Sequence, residues 1–310
     1  MKRLIQIAHF PEVLPLPVMK QVFTEFAEAF TDYGCTVRLI ESWQDLEDGG
    51  IILIDDAARN YEHNKEVMAW LAARCPTSIF ICWYWKNPSF RPFQRMIHTG
   101  EYHLHPERLT DALRDYMSWP TFVPLKLRAN DAPERIGTYP RHVVRDYCFM
   151  GGGYKKSWVP KEEFNGIYHQ VLHTNYLSYA ERKEKYLSSL FAFGFQSNEN
   201  IRTGHLSQRI FEGLAYGCIV LCENQLAEEY TNGAVVYVSS KEDLMEKMRY
   251  YKAHPEVVEA KQKQGYEWVK QHGTNRVSVV PFLDKIKELY QEEFDEDVDT
   301  QSKEMLPSTT

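Results

Sequence analysis

A cation and a carboxylate three residues apart, Arg209 and Glu212, stand in the segment Leu206–Asn224, LSQRIFEGLAYGCIVLCEN, which reads as a helix, a glycine stop and a buried strand. Ser207 suits the N-cap, where a hydroxyl accepts from a first-turn N–H that has no partner within the helix. Gly217 suits the stop, because glycine enters the left-handed region without a Cβ clash. Cys218–Cys222, CIVLC, is wholly apolar, as expected of a parallel strand covered on both faces. Residues three apart share one face of a helix, which would place Arg209 and Glu212 together near its N-terminus. The chemistry of that set is capture of a diphosphate and a ribose. Helix N–H groups and a guanidinium attract phosphate, and a carboxylate accepts from sugar hydroxyls. Taken alone, the same two side chains would rather form a surface ion pair.

The elements around this segment alternate. Leu4–Phe10 is strand-like, and Pro17–Tyr33 is helical, with Val18, Val22, Phe23, Phe26 and Phe30 at helical spacing and Gly34 closing it. Thr36–Ile40, Ile51–Ile54 and Ser78–Trp83 are further strands, with a helix over Asn64–Ala73. This rhythm predicts a parallel, doubly wound sheet. It weakens near Leu125–Tyr139, then restarts with strands at Asp146–Met150, Leu190–Phe195 and Ala234–Val238. Gln196–His205 reads as a polar loop, and helices follow at Lys241–Lys252, Val257–Gln271 and near Val279–Tyr290. The expected organisation is an α/β chain of two Rossmann-like, doubly wound domains facing across a cleft. Residues 1–125 form the first, 126–145 a linker, 146–290 the second, and 291–310 a disordered acidic tail. No G-x-G-x-x-G follows the first strand, which argues against a nicotinamide or flavin cofactor.

Other residues could carry chemistry. Gly151-Gly152-Gly153 follows a strand and lets backbone approach a ligand closely, although a surface turn explains it equally well. His9 follows the first strand, and Asp55 and Asp56 end the third. His98, His103 and His105 form a spaced set, but His103 and His105 alternate with apolar residues and suit solvent or an acceptor better than a metal. Asp297 and Asp299 form a D-x-D pair only within the acidic tail.

The Leu206–Asn224 segment resembles the donor motif of nucleotide-sugar glycosyltransferases of the two-domain GT-B fold. It is similar to the CgeB-like branch of the group 1 enzymes, where S-x-R-x-F-E-x-x-x-x-G is followed by a strand and an E-D-L helix. Here these are Ser207, Arg209, Phe211, Glu212 and Gly217, then Glu242-Asp243-Leu244. A looser similarity links Phe195-Gln196-Ser197-Asn198 and His205-Leu206-Ser207-Gln208-Arg209-Ile210 to α-1,3-fucosyltransferases, which have glutamates where Gln196 and Gln208 stand. The resemblance implies a donor site of Gly151, Lys155, Gln196, Asn198, His205, Ser207, Gln208, Arg209 and Glu212. It implies a GDP- or UDP-linked sugar as donor, a glycan or glycoconjugate acceptor, and no metal or other cofactor, phosphate charge being met by helix termini and basic side chains. It also makes His9 the candidate base of an inverting reaction, with Asp55 or Asp56 orienting it. One departure stands out. Retaining enzymes of this fold often carry a second glutamate eight positions before Glu212, and Gly204 occupies that place. A sugar-nucleotide-binding protein without turnover, and a nucleotide-sugar epimerase of the same shape, therefore remain as alternatives.

The 310 residues suit two domains, and 44% hydrophobic with 25% charged is ordinary globular composition. The net charge of −7 is concentrated in Gln291–Thr310, where seven carboxylates against Lys303 give −6 and leave about −1 for the rest. The body is thus no general nucleic-acid binder. Six cysteines without a C-x-x-C pair fit small core residues in a reducing, cytoplasmic compartment. No apolar run is long enough to span a membrane. Deleting Gln291–Thr310 is expected to leave the melting temperature nearly unchanged, since the segment lacks any core-forming pattern. A large drop would show that it docks.

Overall fold

The computed structural model describes residues 4–8, 17–55, 69–84, 96–100, 125–152, 155–171 and 175–290. For residues 17–20, 43, 55, 82–84, 96–100, 199 and 203 it describes the backbone alone. The first half contains β1 (Leu4–Ala8), α1 (Pro17–Asp32), β2 (Thr36–Ile40), β3 (Ile51–Asp55), β4 (Ile79–Tyr84) and β5 (Met96–Gly100). The second contains β6 (Arg145–Gly151), β7 (Gly166–Gln170), α2 (Tyr179–Leu187), β8 (Ser189–Phe193), α3 (Asn198–Thr203), α4 (Gln208–Ala215) and β9 (Ile219–Cys222). It ends with α5 (Gln225–Tyr230), β10 (Val236–Tyr237), α6 (Lys241–Ala253), α7 (Pro255–His272) and α8 (Asn275–Leu289).

These strands form two separate five-stranded sheets, ordered β2-β1-β3-β4-β5 and β10-β9-β8-β6-β7, and every described pairing is parallel. Numbered from their own first strands, both sheets have the order 2-1-3-4-5. The α/β architecture of two Rossmann-like units is the one expected. In each unit the connections diverge on either side of the first strand, which opens a crevice at the carboxyl ends of β1 and β3 and of β6 and β8.

Both sheets are covered on two faces. Along β9, Val220 and Cys222 join Cys148, Met150 and Ala192 in one core, while Ile219 and Leu221 join Tyr147, Phe149, Phe191 and Phe193 in another. That alternation follows from the two-residue period of a strand, and it explains why CIVLC carries no polar residue. In the first sheet Ile5, Ile7, Ile51, Leu53, Ile79 and Ile81 face α1 through Val22, Phe23, Phe26 and Phe30. Gln6, fully buried on the opposite face, donates to the Glu47 carbonyl at 2.7 Å and accepts from the Glu47 N–H at 2.9 Å.

Among the described residues, the chain crosses between the units twice, and the two crossings run side by side. Leu125 and Leu127 belong to the first core, and Ala129 and Ile136 to the second. On the return, Val269 belongs to the second core, while Val279, Phe282, Leu283 and Ile286 of α8 belong to the first. The crossings are tied together: the Ala129 N–H donates to the Gly273 carbonyl and the Asn275 N–H to the Ala129 carbonyl, both at 3.0 Å. The Arg128 N–H donates to Asn275 Oδ1 at 2.7 Å. Between them the buried Arg128 guanidinium lies over the Phe211 ring, 4.1 Å from its centroid.

Three sequence expectations are corrected. The stretch 196–205 is not wholly loop, because Ser197 caps α3 by accepting from the Asn200 N–H at 3.0 Å. Strands β5 and β7 and helix α2 were not foreseen. Ser207 occupies the N-cap position of α4, but its hydroxyl makes no capping bond. It accepts instead from the Gln196 side-chain amide at 3.2 Å.

Candidate functional site

A cavity of about 290 Å³ opens at the β6–β8 crevice and is bounded on its far side by Gln21 and Val22 of α1. Gly151, Asn200, His205, Ser207, Gln208, Arg209 and Glu212 line it from the second unit. The end of β6, Val171 just after β7 and the first turn of α4 contribute to its lining. The helix is fixed there by burial of Ile210, Phe211, Leu214 and Ala215, and it ends at Tyr216 and Gly217, whose φ of 76° is the left-handed conformation expected.

Arg209 spans the crevice. Its Nη1 donates to the Phe195 carbonyl after β8, and its guanidinium carbon stands 5.3 Å from the Phe149 ring centroid. On the β6 side it packs on Gly151, where a Cβ would meet the guanidinium at 2.6 Å. The glycine at the end of β6 is therefore a seat for this cation. Lys155 lies in the left-handed conformation beyond it, with its ammonium 4.9 Å from the Trp158 ring centroid.

Glu212 behaves differently from the expectation of an open carboxylate beside Arg209. Its side chain is 2% exposed and paired with Arg182 of α2. Arg182 Nε stands 3.2 Å from both Glu212 oxygens and Nη2 stands 2.7 Å from Oε1. The same Nη2 donates to Glu25 Oε1 of α1 at 2.9 Å, so one guanidinium serves two buried carboxylates from the two units. Gln21 donates to Glu25 at 3.0 Å, and Gln208 donates to its other oxygen. Burial, and then the neighbouring Glu212 charge, push the Glu25 carboxyl up to about 7 against the opposing pull of Arg182. Arg182 is held more firmly protonated than usual by the two carboxylates, despite its burial.

The remaining expected donor residues divide. Gln196 is buried and spent on the scaffold, donating to Ser207 and accepting from Asn224 at 2.7 Å. Asn198 is exposed at the start of α3 and does not line the cavity. His205 lines it, with its N–H donating to the Asn200 carbonyl at 2.9 Å. Gly204 ends α3 at a φ of 69°, a left-handed backbone that disfavours any side chain at this position. His9, Asp56, Gly153, His103, His105, Asp297 and Asp299 lie outside the described residues. Asp55 ends β3, whose Ile54 is registered with Ala8, the last residue of β1. His98 lies in β5.

Sequence reasoning missed Glu25, Arg182 and Glu223. Glu223 follows β9, accepts from the Gln196 N–H at 2.9 Å, and has its carboxyl raised by burial against the pull of Lys155 and Arg209. Its place at a strand end was a usable signal. Glu25 also left one, since it falls in helical register with Val22 and Ala29, both buried on the apolar stripe of α1. Arg182, within ERKEK, reads as a solvated face.

Residues 136–284 match the family model described as glycosyl transferase-like. The matched glycosyl transferase-like region contains the β6–β8 crevice, α4 and all of the second sheet. It supports a glycosyltransferase family and glycosyl transfer in general. No curated protein matches the chain. Among the described residues, no helix is long and apolar enough to cross a membrane.

The buried carboxylates give one pH prediction. A carboxyl whose folded pKa is raised favours folding below its unfolded value near 4.5, and loses that contribution as pH rises through about 7. Glu25→Gln, which cannot ionise, should therefore flatten the decline in melting temperature between pH 4.5 and 7. Across that window the gap in stability between the two proteins should change by no more than about 3–4 kcal/mol. Parallel curves for wild type and variant would show that Glu25 ionises normally.

Proposed function

We propose that the chain transfers a sugar from a nucleoside-diphosphate sugar to an acceptor hydroxyl, with the donor in the β6–β8 cavity. The observation that carries this reading is the seat of Arg209. A guanidinium held across the carboxyl ends of two parallel strands, beside the N-terminus of a buried helix, is suited to a diphosphate. Its place within the glycosyl transferase-like match supports the same reading. The CgeB-like resemblance favours a GDP- or UDP-linked donor and a glycan or glycoconjugate acceptor, with no metal required. The division at residues 126–145 and the assignment of the first domain to the acceptor belong to the same proposal. So does His9 as the base, which the register of β1 beside β3 favours by bringing their carboxyl ends together.

The deciding experiment screens GDP-, UDP- and TDP-sugars by thermal shift and follows any binder with product analysis. A ligand at a hundred times its dissociation constant stabilises by about 2.7 kcal/mol. A glycoside product is expected, and an isomerised sugar would instead identify an epimerase. The left-handed Gly204 favours one second reading, a binding protein without turnover. Tight nucleotide binding with no transfer to any acceptor would establish it.

A further inference from the structure

Glu212 is oriented by a residue of a different helix. The Arg182 fork closes on its carboxylate through Nε, 3.2 Å from each oxygen, and Nη2, 2.7 Å from Oε1. A planar guanidinium gripping two oxygens fixes the plane of the carboxylate as well as its place, which an ammonium cannot do. Arg182 is itself held by Glu25 Oε1 at 2.9 Å and by the Leu177 carbonyl at 3.4 Å. Both Arg182 and Glu212 line the 290 Å³ cavity. A carboxylate has about four acceptor sites, and the three contacts of the fork leave about one, on Oε2, for a ligand hydroxyl.

We infer that Arg182 is a positioning residue of this site, setting the plane of Glu212 so that the free acceptor site on Oε2 receives a ribose hydroxyl of a nucleotide. The inference rests on the donor-site reading above and adds to it a residue outside the motif. Residues that hold a ligand-binding group at its working geometry are commonly as consequential as the group itself. Glu25 extends the support across the unit boundary.

The test compares binding of GDP and UDP with binding of their 2′,3′-dideoxy counterparts. The wild type should prefer the ribonucleotide by about tenfold or more, the effect of hydrogen bonds to a charged acceptor. Arg182→Lys keeps the charge and loses the fork. It should reduce that preference to less than about threefold, while dideoxynucleotide affinity stays within about threefold of wild type. A preference kept at the wild-type level overturns the inference. So does an equal loss for both ligands, because a residue that merely supports the fold has no reason to sense the ribose hydroxyls. If Arg182→Lys does not fold, the same comparison is made between Glu25→Gln and Glu25→Gln/Arg182→Lys, which leaves one cation facing one carboxylate. Absence of any nucleotide binding by the wild type overturns the donor-site reading itself, before a variant is made.

Discussion

Arg209→Ala is expected to weaken nucleoside-diphosphate binding by about 1.5–3 kcal/mol, the range for a charge-assisted hydrogen bond, and to leave the fold intact. The fold should survive because the guanidinium sits in the crevice and does not hold the sheet together. A second route to the same loss is built into β6. Gly151→Ala would place a methyl group 2.6 Å from the Arg209 guanidinium, and the flexible end of that side chain must then leave its seat. The two substitutions should not add, because each removes the same placed cation. The double variant should bind about as weakly as Arg209→Ala alone, within about 0.5 kcal/mol. Isothermal titration of the four proteins with GDP and UDP measures this. Unchanged affinity in a folded Arg209→Ala protein would remove Arg209 from the site, and full additivity would detach Gly151 from it.

Arg182→Leu is expected to cost about 3–5 kcal/mol of stability at pH 8, because it strips the cation from two buried carboxylates. Glu25 and Glu212 are 3% and 2% exposed at their side chains, so water cannot replace the guanidinium. The loss should shrink as pH falls, since protonation then neutralises the stranded acids. Replacing all three residues by leucine should recover much of the loss, since an apolar cluster of similar volume has no charge to desolvate. Urea unfolding of the single and triple variants at pH 5 and 8 distinguishes these outcomes. A pH-independent loss, unrelieved in the triple variant, would point to damaged packing and not to uncompensated charge.

These two predictions mark the boundary of what could be read from sequence. The α4–β9 segment was legible because its signals are local: a capping position, an apolar stripe, a glycine stop and a strand buried on both faces. Arg182 was not legible, because its partners stand 30 and 157 residues away and only the fold brings them together. Strands β5 and β7 were missed for a different reason. Each lies at the edge of its sheet, and the residues of β7 are partly exposed, so neither needs the continuous apolar run that betrays a central strand. Ser207 shows a third kind of failure. The N-cap position was read correctly, but the hydroxyl is taken by Gln196, a buried amide that needs a partner, while the Ile210 N–H it would have capped donates to the Ser207 carbonyl at 3.0 Å.

The return of α8 to the first sheet has a consequence for how the molecule is made. Val279, Phe282, Leu283 and Ile286 complete a core whose strands end near residue 100. On a ribosome adding about 5–20 residues per second, roughly 10–40 s separate synthesis of β5 from synthesis of α8. Throughout that interval the nascent first unit presents an apolar surface meant for a helix that does not yet exist. The second unit, whose sheet and core lie within residues 129–269, can close earlier on its own. The second core is therefore synthesised in full, by Val269, before the α8 residues that complete the first, so the two cores are completed in the reverse of the order in which they are begun.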